Sequence, residues 1–275
     1  MIQKPFFSIV IPTLNEEDYL PRLLTDLTKQ KYHSFEVIVV DGGSADQTLI
    51  RASHYEKRLP LAILSTAKGN VSGQRNMGAN HSKGEYVIFF DADVQVPQRF
   101  LYEVHRKIRE TNANFLTTYI RADSLNMYDK TIARLTNMSM EVSRLIERPF
   151  VGGFNFIVSK KAFMQVGGFN ESIVHSEDYD LSMRIGRAGY DLQLLRKPRL
   201  IFSLRRFRHE GRLTTLRKLA WAAIHVSTKG PITEQIFSYP MGGLWYKLKR
   251  KEQIKPQSLE LVEGYVKRFL KVFLE

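Results

Sequence analysis

Two aspartates, Asp91 and Asp93, directly follow the uncharged run Tyr86–Phe90. A run without charge predicts a strand buried on both faces, and ligands of parallel α/β sheets bind beyond the carboxyl ends of such strands. Carboxylates one residue apart can share a divalent cation such as Mg²⁺ or Mn²⁺, which prefers hard oxygen ligands. The pair could instead begin a turn or cap a helix, because Asp is common in both places.

Polar side chains also follow two earlier strand-like runs. Pro12, Thr13 and Glu16 come after the first run, and Asp41 comes after the second. Because the carboxyl ends of parallel strands meet at one edge of a sheet, we expect these residues to converge with Asp91 on one ligand.

Strands and helices are predicted to alternate through the first hundred residues. The expected strands are Phe7–Ile11, Phe35–Val40, Leu61–Leu64 and Tyr86–Phe90, and the expected helices are Glu17–Gln30, Asp46–Lys57 and Ser72–His81. Farther along we expect a helix Gln98–Thr111, a strand near Phe115–Ile120 and a long helix within residues 126–147. This alternation predicts an α/β fold with a doubly wound, mostly parallel sheet and helices on both faces.

Glycines and acids mark the region after the long helix. Gly152 and Gly153 would let backbone approach a ligand or would simply make a turn. Ser176 is a candidate N-cap for a helix whose first turn contains Glu177 and Asp178. Those two acids could act on a ligand, or they could only complement the helix dipole.

Positive charge is concentrated near the C-terminus. The net charge is +13; residues 1–183 hold 21 basic and 21 acidic residues, whereas residues 184–275 hold 20 and 7. Arg205 and Arg206 lie in a tight arginine cluster that suits a phosphate group, which arginine binds in a bidentate manner. The basic, aromatic region from residue 231 onward suits an anionic membrane surface, and its last helix could equally pack on the domain or form a homodimer.

Composition excludes several kinds of chemistry. The chain has no cysteine, so thiolate nucleophiles, disulfides and cysteine-bound zinc are excluded. It has neither a glycine-rich dinucleotide fingerprint nor a P-loop, so nicotinamide and P-loop ATP chemistry are unsupported. No run approaches about 18 uncharged apolar residues. We therefore expect a cytoplasmic protein, or one held peripherally at the cytoplasmic face of a membrane.

Four segments together resemble a known enzyme family. They are residues 9–17, residues 39–48, residues 90–93 and residues 177–181. In this order and approximate spacing they resemble the inverting nucleotide-sugar glycosyltransferases of family 2, which have the GT-A fold. The resemblance covers roughly residues 6–210. It implies a catalytic domain over residues 1–210, with a nucleotide-binding half to about residue 95 and an acceptor half after it, followed by a helical extension over residues 211–275.

The resemblance assigns roles to individual residues. Asp178 would be the catalytic base, and Glu177 would orient the acceptor or Asp178. Asp93 would bind Mg²⁺ or Mn²⁺, Asp91 would contact the ribose or a metal-bound water, and His209 would be a third metal ligand. The residues expected to bind the nucleotide sugar are Pro12, Thr13, Glu16, Asp41, Arg75, Asp91, Gly152, Gly153, Arg205 and Arg206.

The resemblance also has limits, and it leaves other functions open. The Q-x-x-R-W motif of processive synthases is absent, which favours transfer of one sugar per encounter to a glycan or lipid-linked acceptor. Asp41-Gly42-Gly43 stands where many members have a second acid. One alternative is a haloacid dehalogenase-like phosphatase with Asp91 as nucleophile and Asp93 as acid. The other is a non-catalytic binder of an anionic polymer, although no nucleic-acid module is evident and no nucleic-acid partner is expected.

Overall fold

A seven-stranded sheet forms the centre of the protein. The computed structural model describes residues 4–66 and 70–247. The strands are β1 Phe7–Thr13, β2 Phe35–Asp41, β3 Leu61–Ser65, β4 Tyr86–Phe89, β5 Phe115–Ala122, β6 Phe156–Ser159 and β7 Leu192–Phe202. Their order across the sheet is β3-β2-β1-β4-β6-β5-β7. All neighbours are parallel except β6, which runs antiparallel to both β4 and β5.

Ten helices surround this sheet in the described residues. They are α1 Leu20–Thr28, α2 Thr48–Ser53, α3 Val71–His81, α4 Phe100–Thr111, α5 Met127–Leu145, α6 Lys160–Gln165, α7 Glu177–Arg187, α8 Arg205–Glu210, α9 Arg212–Lys229 and α10 Leu244–Lys247. A short 3-10 turn, Gly153–Asn155, precedes β6.

The central strands are buried because their side chains pack on both faces of the sheet. In β1, Ile9 and Ile11 join one hydrophobic cluster, which α1 and α4 cover, while Val10 joins a second cluster on the opposite face. Alternation of side chains along a strand sends successive residues to opposite faces, so an uninterrupted apolar run fits a strand covered on both sides. The predicted double layer of helices is therefore present.

Helix α3 lies unusually close to β1. A β-carbon added at Gly78 would overlap Cγ1 of Val10, so only glycine lets the helix backbone approach the strand this closely. The approach matters for the site because α3 also carries Gln74 and Arg75, both of which are buried.

Ser176 was predicted to be the N-cap of helix α7, and the structure differs on this point. The predicted helix does begin at Glu177, but the Ser176 side chain caps nothing, and its backbone is left-handed with φ of 64°. The left-handed residue reverses the chain directly before the helix. Glu177 and Asp178 thus open α7 without a serine cap.

The C-terminal third is helical and then irregular. Helix α9 begins at the predicted start of the extension, and residues 231–247, here called the tail segment, run back over the domain and end in α10. The last predicted helix, which could bind membrane, pack on the domain or form a homodimer, lies outside the described residues. Across residues 4–66 and 70–247, no helix is both long and apolar enough to cross a bilayer.

Candidate functional site

The loops after β1 and β2 meet at the carboxyl edge of the sheet. Thr13 and Asp41, the last residues of the two strands, lie in register. The buried amide of Gln74 joins the strands here, because its Nε2 donates to the carbonyls of Thr13 (2.9 Å) and Val40 (2.8 Å). The hydroxyl of Thr13 is buried without a hydrogen-bond partner among the described residues. Polar groups of the two strand ends therefore lie together at this edge of the sheet.

Arg75 connects two of the predicted acidic segments. Its Nη2 lies 3.0 Å from Asp91 Oδ1, and its Nη1 lies 2.7 Å from Glu177 Oε1. The guanidinium also lies over the ring of Phe169, with 5.2 Å to the ring centroid. Burial lowers the pKa of Arg75, but Asp91 and Glu177 raise it by more, so the guanidinium stays charged. The carboxyl end of β4 and the start of α7 therefore share one cleft.

Asp178 lies beside this bridge and is held by backbone. Gly153 N–H donates to Asp178 Oδ2 at 2.9 Å, and the N–H of Tyr179 donates to Oδ1 at 2.8 Å. Burial and the neighbouring Glu177 raise the pKa of Asp178 to about 7, against the opposing effect of the Gly153 N–H. A carboxylate with a pKa near neutrality can accept and release a proton under physiological conditions.

Neighbouring side chains of the site leave no room for a β-carbon at Gly152 or Gly153. A β-carbon at Gly153 would overlap the Arg75 guanidinium, and one at Gly152 would overlap the ring of Phe154. The glycines therefore let Arg75 and Phe154 approach the chain. Their predicted contact with a bound ligand stays a prediction.

Arg205 forms a second bridge, between Glu16 and Asp93. Its terminal nitrogens lie 2.9 and 2.5 Å from the two oxygens of Glu16, and its Nε lies 2.7 Å from Asp93 Oδ2. Burial raises the pKa of Glu16 to about 7, although Arg205 lowers it, and burial also raises the pKa of Asp93. Because Asp91 and Asp93 are two positions apart along the chain, the two arginine bridges lie side by side at the carboxyl end of β4.

Aromatic side chains of the tail segment enclose the arginines. Arg205 lies between the rings of Tyr19 and Tyr246, at 4.4 and 4.2 Å from their centroids. Arg206 lies 3.7 Å from the centroid of Tyr239 and donates to the carbonyl of Pro240 at 2.9 Å. Such cation–π contacts hold a guanidinium in place without neutralising it. The described tail aromatics therefore pack against the domain, and the membrane contact suggested by their composition stays a prediction.

The Asp41 carboxylate accepts hydrogen bonds from residues of its own loop. It is almost fully buried, and it accepts hydrogen bonds from the N–H groups of Gly43 and Ser44 and from the Ser44 hydroxyl. Pro12 is buried within β1. Both residues are buried at the ends of their strands, and their predicted contacts with a nucleotide stay predictions.

The predicted three-residue metal group of Asp91, Asp93 and His209 is not assembled. In the part of the chain that the structure describes, no three histidine or acidic side chains come together to hold a metal. The physical reason is the guanidiniums: one oxygen of Asp91 is engaged by Arg75 and one of Asp93 by Arg205. His209 instead packs against Trp245, with ring centroids 4.4 Å apart. The two aspartates still offer hard oxygens suited to Mg²⁺ or Mn²⁺ if a ligand supplies the remaining ones.

Most of the predicted residues do come together. Asp91, Asp93, Glu16, Glu177 and Asp178 lie along one cleft through the two arginine bridges. Three further parts of this site were not predicted from the sequence: Gln74, Tyr19 and the tail aromatics. Gln74 is adjacent in sequence to Arg75, and Tyr19 lies three residues after Glu16. Their closeness to predicted site residues could have indicated them.

A family of sequences and two relatives match the chain. The sequence model of the family described as "Glycosyl transferase family 2" matches residues 8–167. An uncharacterized glycosyltransferase of Haemophilus influenzae is 26% identical over 182 residues, which are 65% of this chain and 61% of that protein. The poly(ribitol-phosphate) β-N-acetylglucosaminyltransferase TarS of Staphylococcus aureus is 36% identical over 114 residues, 40% of this chain and 20% of TarS. The chain thus spans less than two thirds of the length of these relatives.

Solved structures of similar fold contain nucleotides. TarS residues 1–349 in complex with UDP superpose with a TM-score of 0.62 at 22% identity, covering 81% of this chain and 72% of that one. The mannosyltransferase PcManGT of Pyrobaculum calidifontis, in complex with GDP-Man and Mn²⁺, gives a TM-score of 0.66 at 19% identity, covering 84% and 66%. At such identities the likeness concerns the fold.

Proposed function

Because this chain belongs to glycosyl transferase family 2, we propose that it moves one sugar from a nucleoside-diphosphate sugar to an acceptor, with inversion at the anomeric carbon. The observation that carries the proposal is Asp178. Its carboxyl is held by the Gly153 N–H, has a pKa raised to about 7, and lies in the same cleft as the Arg75–Asp91 pair.

Asp178 is suited to the role of general base. It would take the proton of the acceptor hydroxyl while the acceptor oxygen forms a bond to the anomeric carbon. The bond from that carbon to the diphosphate breaks on the opposite face, and the nucleoside diphosphate leaves with the electron pair. A single displacement of this kind inverts the configuration. The Gly153 N–H fixes the carboxylate, and Glu177 is tied to Arg75 beside it.

The strand-end pocket is the proposed donor site. Thr13 offers a buried hydroxyl without a partner among the described residues, and Pro12 and Asp41 form the floor beside it. Glu16, Arg75 and Arg205 would bind the ribose and diphosphate, with the arginines moving from carboxylate to phosphate oxygens. UDP and GDP-Man in complexes of the fold relatives support a nucleotide in this pocket.

A divalent cation belongs to the same proposal. Asp93 and Asp91 would hold Mg²⁺ or Mn²⁺, and such a cation neutralises a departing diphosphate. Mn²⁺ in the PcManGT complex supports this, whereas nothing in the geometry supports His209 as a third ligand. The acceptor would be a glycan or a lipid-linked sugar, which fits the names of TarS and of a related β-monoglucosyldiacylglycerol synthase.

A thermal-shift screen of nucleoside diphosphates with Mg²⁺, Mn²⁺ or a chelator tests the donor site. One nucleotide should raise the melting temperature, since a ligand that binds only the native state stabilises it. Asp93→Asn should lose the cation-dependent part of the shift, and the same change at exposed Asp191 should retain it. If every nucleotide fails while an anionic polymer stabilises the protein at low salt, the binder alternative is correct. Release of free phosphate from a phosphomonoester would instead favour the dehalogenase-like alternative.

A further inference from the structure

Helix α5 presents an apolar stripe on its outer side. Six side chains on this stripe are between 45% and 70% exposed: Met127, Leu135, Met138, Val142, Leu145 and Ile146. Their spacing follows the period of a helix, so they lie on one face, and five of the six lie between residue 135 and the C-cap Ile146. A helix of 19 residues is about 28 Å long at 1.5 Å per residue. Exposed apolar faces of this extent mark interaction sites.

The opposite face of α5 is fixed to the sheet. Asn137 accepts a hydrogen bond from the N–H of Ile120 (2.8 Å) and donates one to its carbonyl (2.9 Å). Ile132 and Met140, on the same side as Asn137, are buried. The stripe is therefore held pointing away from the domain, and rotation of the helix cannot hide it.

Basic side chains border the stripe while its acids are already engaged. Lys130 and Arg134 are exposed along one flank. On the same flank, Glu141 is paired with Arg144 (3.3 Å) and with Arg196 of β7 (3.4 Å). Asp129 is buried and paired with Arg208 and Arg212. Along α5 the rim thus presents cations outward, and the two carboxylates of the helix are paired, while Glu147 follows the helix and is exposed.

Both ends of α5 adjoin the proposed active site. At the N-terminal end, Asp129 contacts Arg208 of α8, the helix that also carries Arg205. At the C-terminal end, the Ser143 hydroxyl accepts from the N–H of Phe150, three residues before Gly153. A surface that binds the stripe would therefore contact a helix whose two ends are linked to segments of the proposed active site.

We propose that the α5 stripe docks on a membrane that carries anionic lipid, with its apolar side chains at the level of the headgroups. Apolar burial combined with attraction between cations and anionic headgroups is the basis of interfacial helix binding. A second copy of the chain fits less well, since an antiparallel two-fold contact between two stripes would bring the basic rims of both copies together. The proposal rests on the proposed function in one respect: docking would bring a membrane-embedded acceptor near Asp178.

Vesicle flotation of the full chain tests the docking. Phosphatidylcholine vesicles with phosphatidylglycerol should bind the wild-type protein more strongly than pure phosphatidylcholine vesicles. The double variant Met138→Glu, Val142→Glu should lower partitioning by at least about tenfold, because two buried apolar side chains are lost. Ile50→Glu is the matched control, since Ile50 is 63% exposed on α2 and Met138 is 58% exposed. The control should partition like wild type.

Because the chain has no cysteine, a single introduced one can be labelled. An environment-sensitive dye on Met138→Cys should shift to the blue when anionic vesicles are added, and the same dye on Ile50→Cys should not. A dye at residue 138 that stays in water while the protein floats with vesicles would overturn the proposal. So would wild-type protein that binds no vesicles, or glutamate variants whose only effect is to dissociate an oligomer in light scattering. Nucleotide-dependent thermal shifts in the same variants separate failure of docking from failure of the donor site.

Discussion

At the scale of single residues, the site pairs each buried arginine with two acids. Arg75 holds Asp91 and Glu177, and Arg205 holds Glu16 and Asp93. Asp178 is different because its partners are backbone N–H groups, and burial raises its pKa to about 7. Glu16 has a pKa raised to about 7 as well, but both of its oxygens are engaged by Arg205, whereas neither oxygen of Asp178 is paired with an arginine in the described residues. This contrast supports the proposal that Asp178 is the base.

Replacing Asp178 with asparagine should stop transfer and leave donor binding intact. The amide cannot accept the acceptor proton, and a positioned base contributes about 10²–10⁴-fold to a rate. We expect kcat to fall by that range while the nucleotide-dependent thermal shift remains. Asp191→Asn, an identical change at an exposed aspartate, serves as the control. Wild-type turnover in the Asp178 variant would show that another group is the base.

The identities of the site residues were easier to predict than their partners. Acids at strand ends converge because parallel strands end at one edge, which is how Asp91 and Glu16 were found. The Arg75–Glu177 and Glu16–Arg205 pairs join residues 102 and 189 positions apart, and no local pattern encodes such contacts. For the same reason, the arginines that engage the carboxylates of the predicted metal group could not be placed from sequence.

At the scale of helices and strands, the GT-A type α/β fold expected from sequence is confirmed. The first four strands were predicted because their apolar runs are uncharged and are bounded by turn residues. Strand β7 was missed because Arg196, Lys197 and Pro198 interrupt its apolar pattern. It lies at the edge of the sheet, where charge and proline are tolerated. Strand β6 was missed because it has only four residues after a glycine turn, which is too few to show a periodic pattern of apolar side chains.

Gly78→Ala should destabilise the protein by moving α3 away from β1. The new β-carbon would overlap Val10, and overpacking of a core costs about 1–3 kcal/mol. Arg75 is on the same helix, so activity should fall as well. Urea unfolding measures the change in free energy, with Gly73→Ala as control, because a β-carbon there meets only side-chain atoms at 3.3 Å or more. Equal stability of the two variants would contradict the close helix–strand contact.

At the scale of the whole molecule, the tail segment ties the two halves of the cleft together. Gly243 N–H donates to the carbonyl of Leu14 in the donor-side loop at 2.9 Å. At its other end, the carbonyl of Ile232 accepts from the N–H of Val174, four residues before Asp178. Lys247 pairs with Glu17 and Asp18 beside the same donor-side loop. The last described residues therefore form one wall of the site.

Gly243→Ala should displace the tail segment from the donor-side loop. A β-carbon at residue 243 would overlap the carbonyl oxygen of Asn15, which is backbone and cannot turn aside. Trp245 would then lose its contacts with His209 and Arg206, and its fluorescence should shift to the red. Met241→Ala, at an exposed position of the same segment, should leave the spectrum unchanged. Identical spectra for both variants would refute the seating of the tail.

The Glu16–Arg205 pair has a consequence for proton balance. Arg205 lowers the pKa of Glu16, which burial has raised to about 7. A diphosphate that draws Arg205 away would raise that pKa further, so nucleotide binding at neutral pH should take up a fraction of a proton from the buffer. Well below pH 7 the carboxyl is already protonated and the uptake should vanish. Titration calorimetry in two buffers that differ in ionisation enthalpy measures this proton uptake, because the observed heat then depends on the buffer. Equal heats in both buffers at neutral pH would mean that the Arg205 guanidinium does not leave the Glu16 carboxylate.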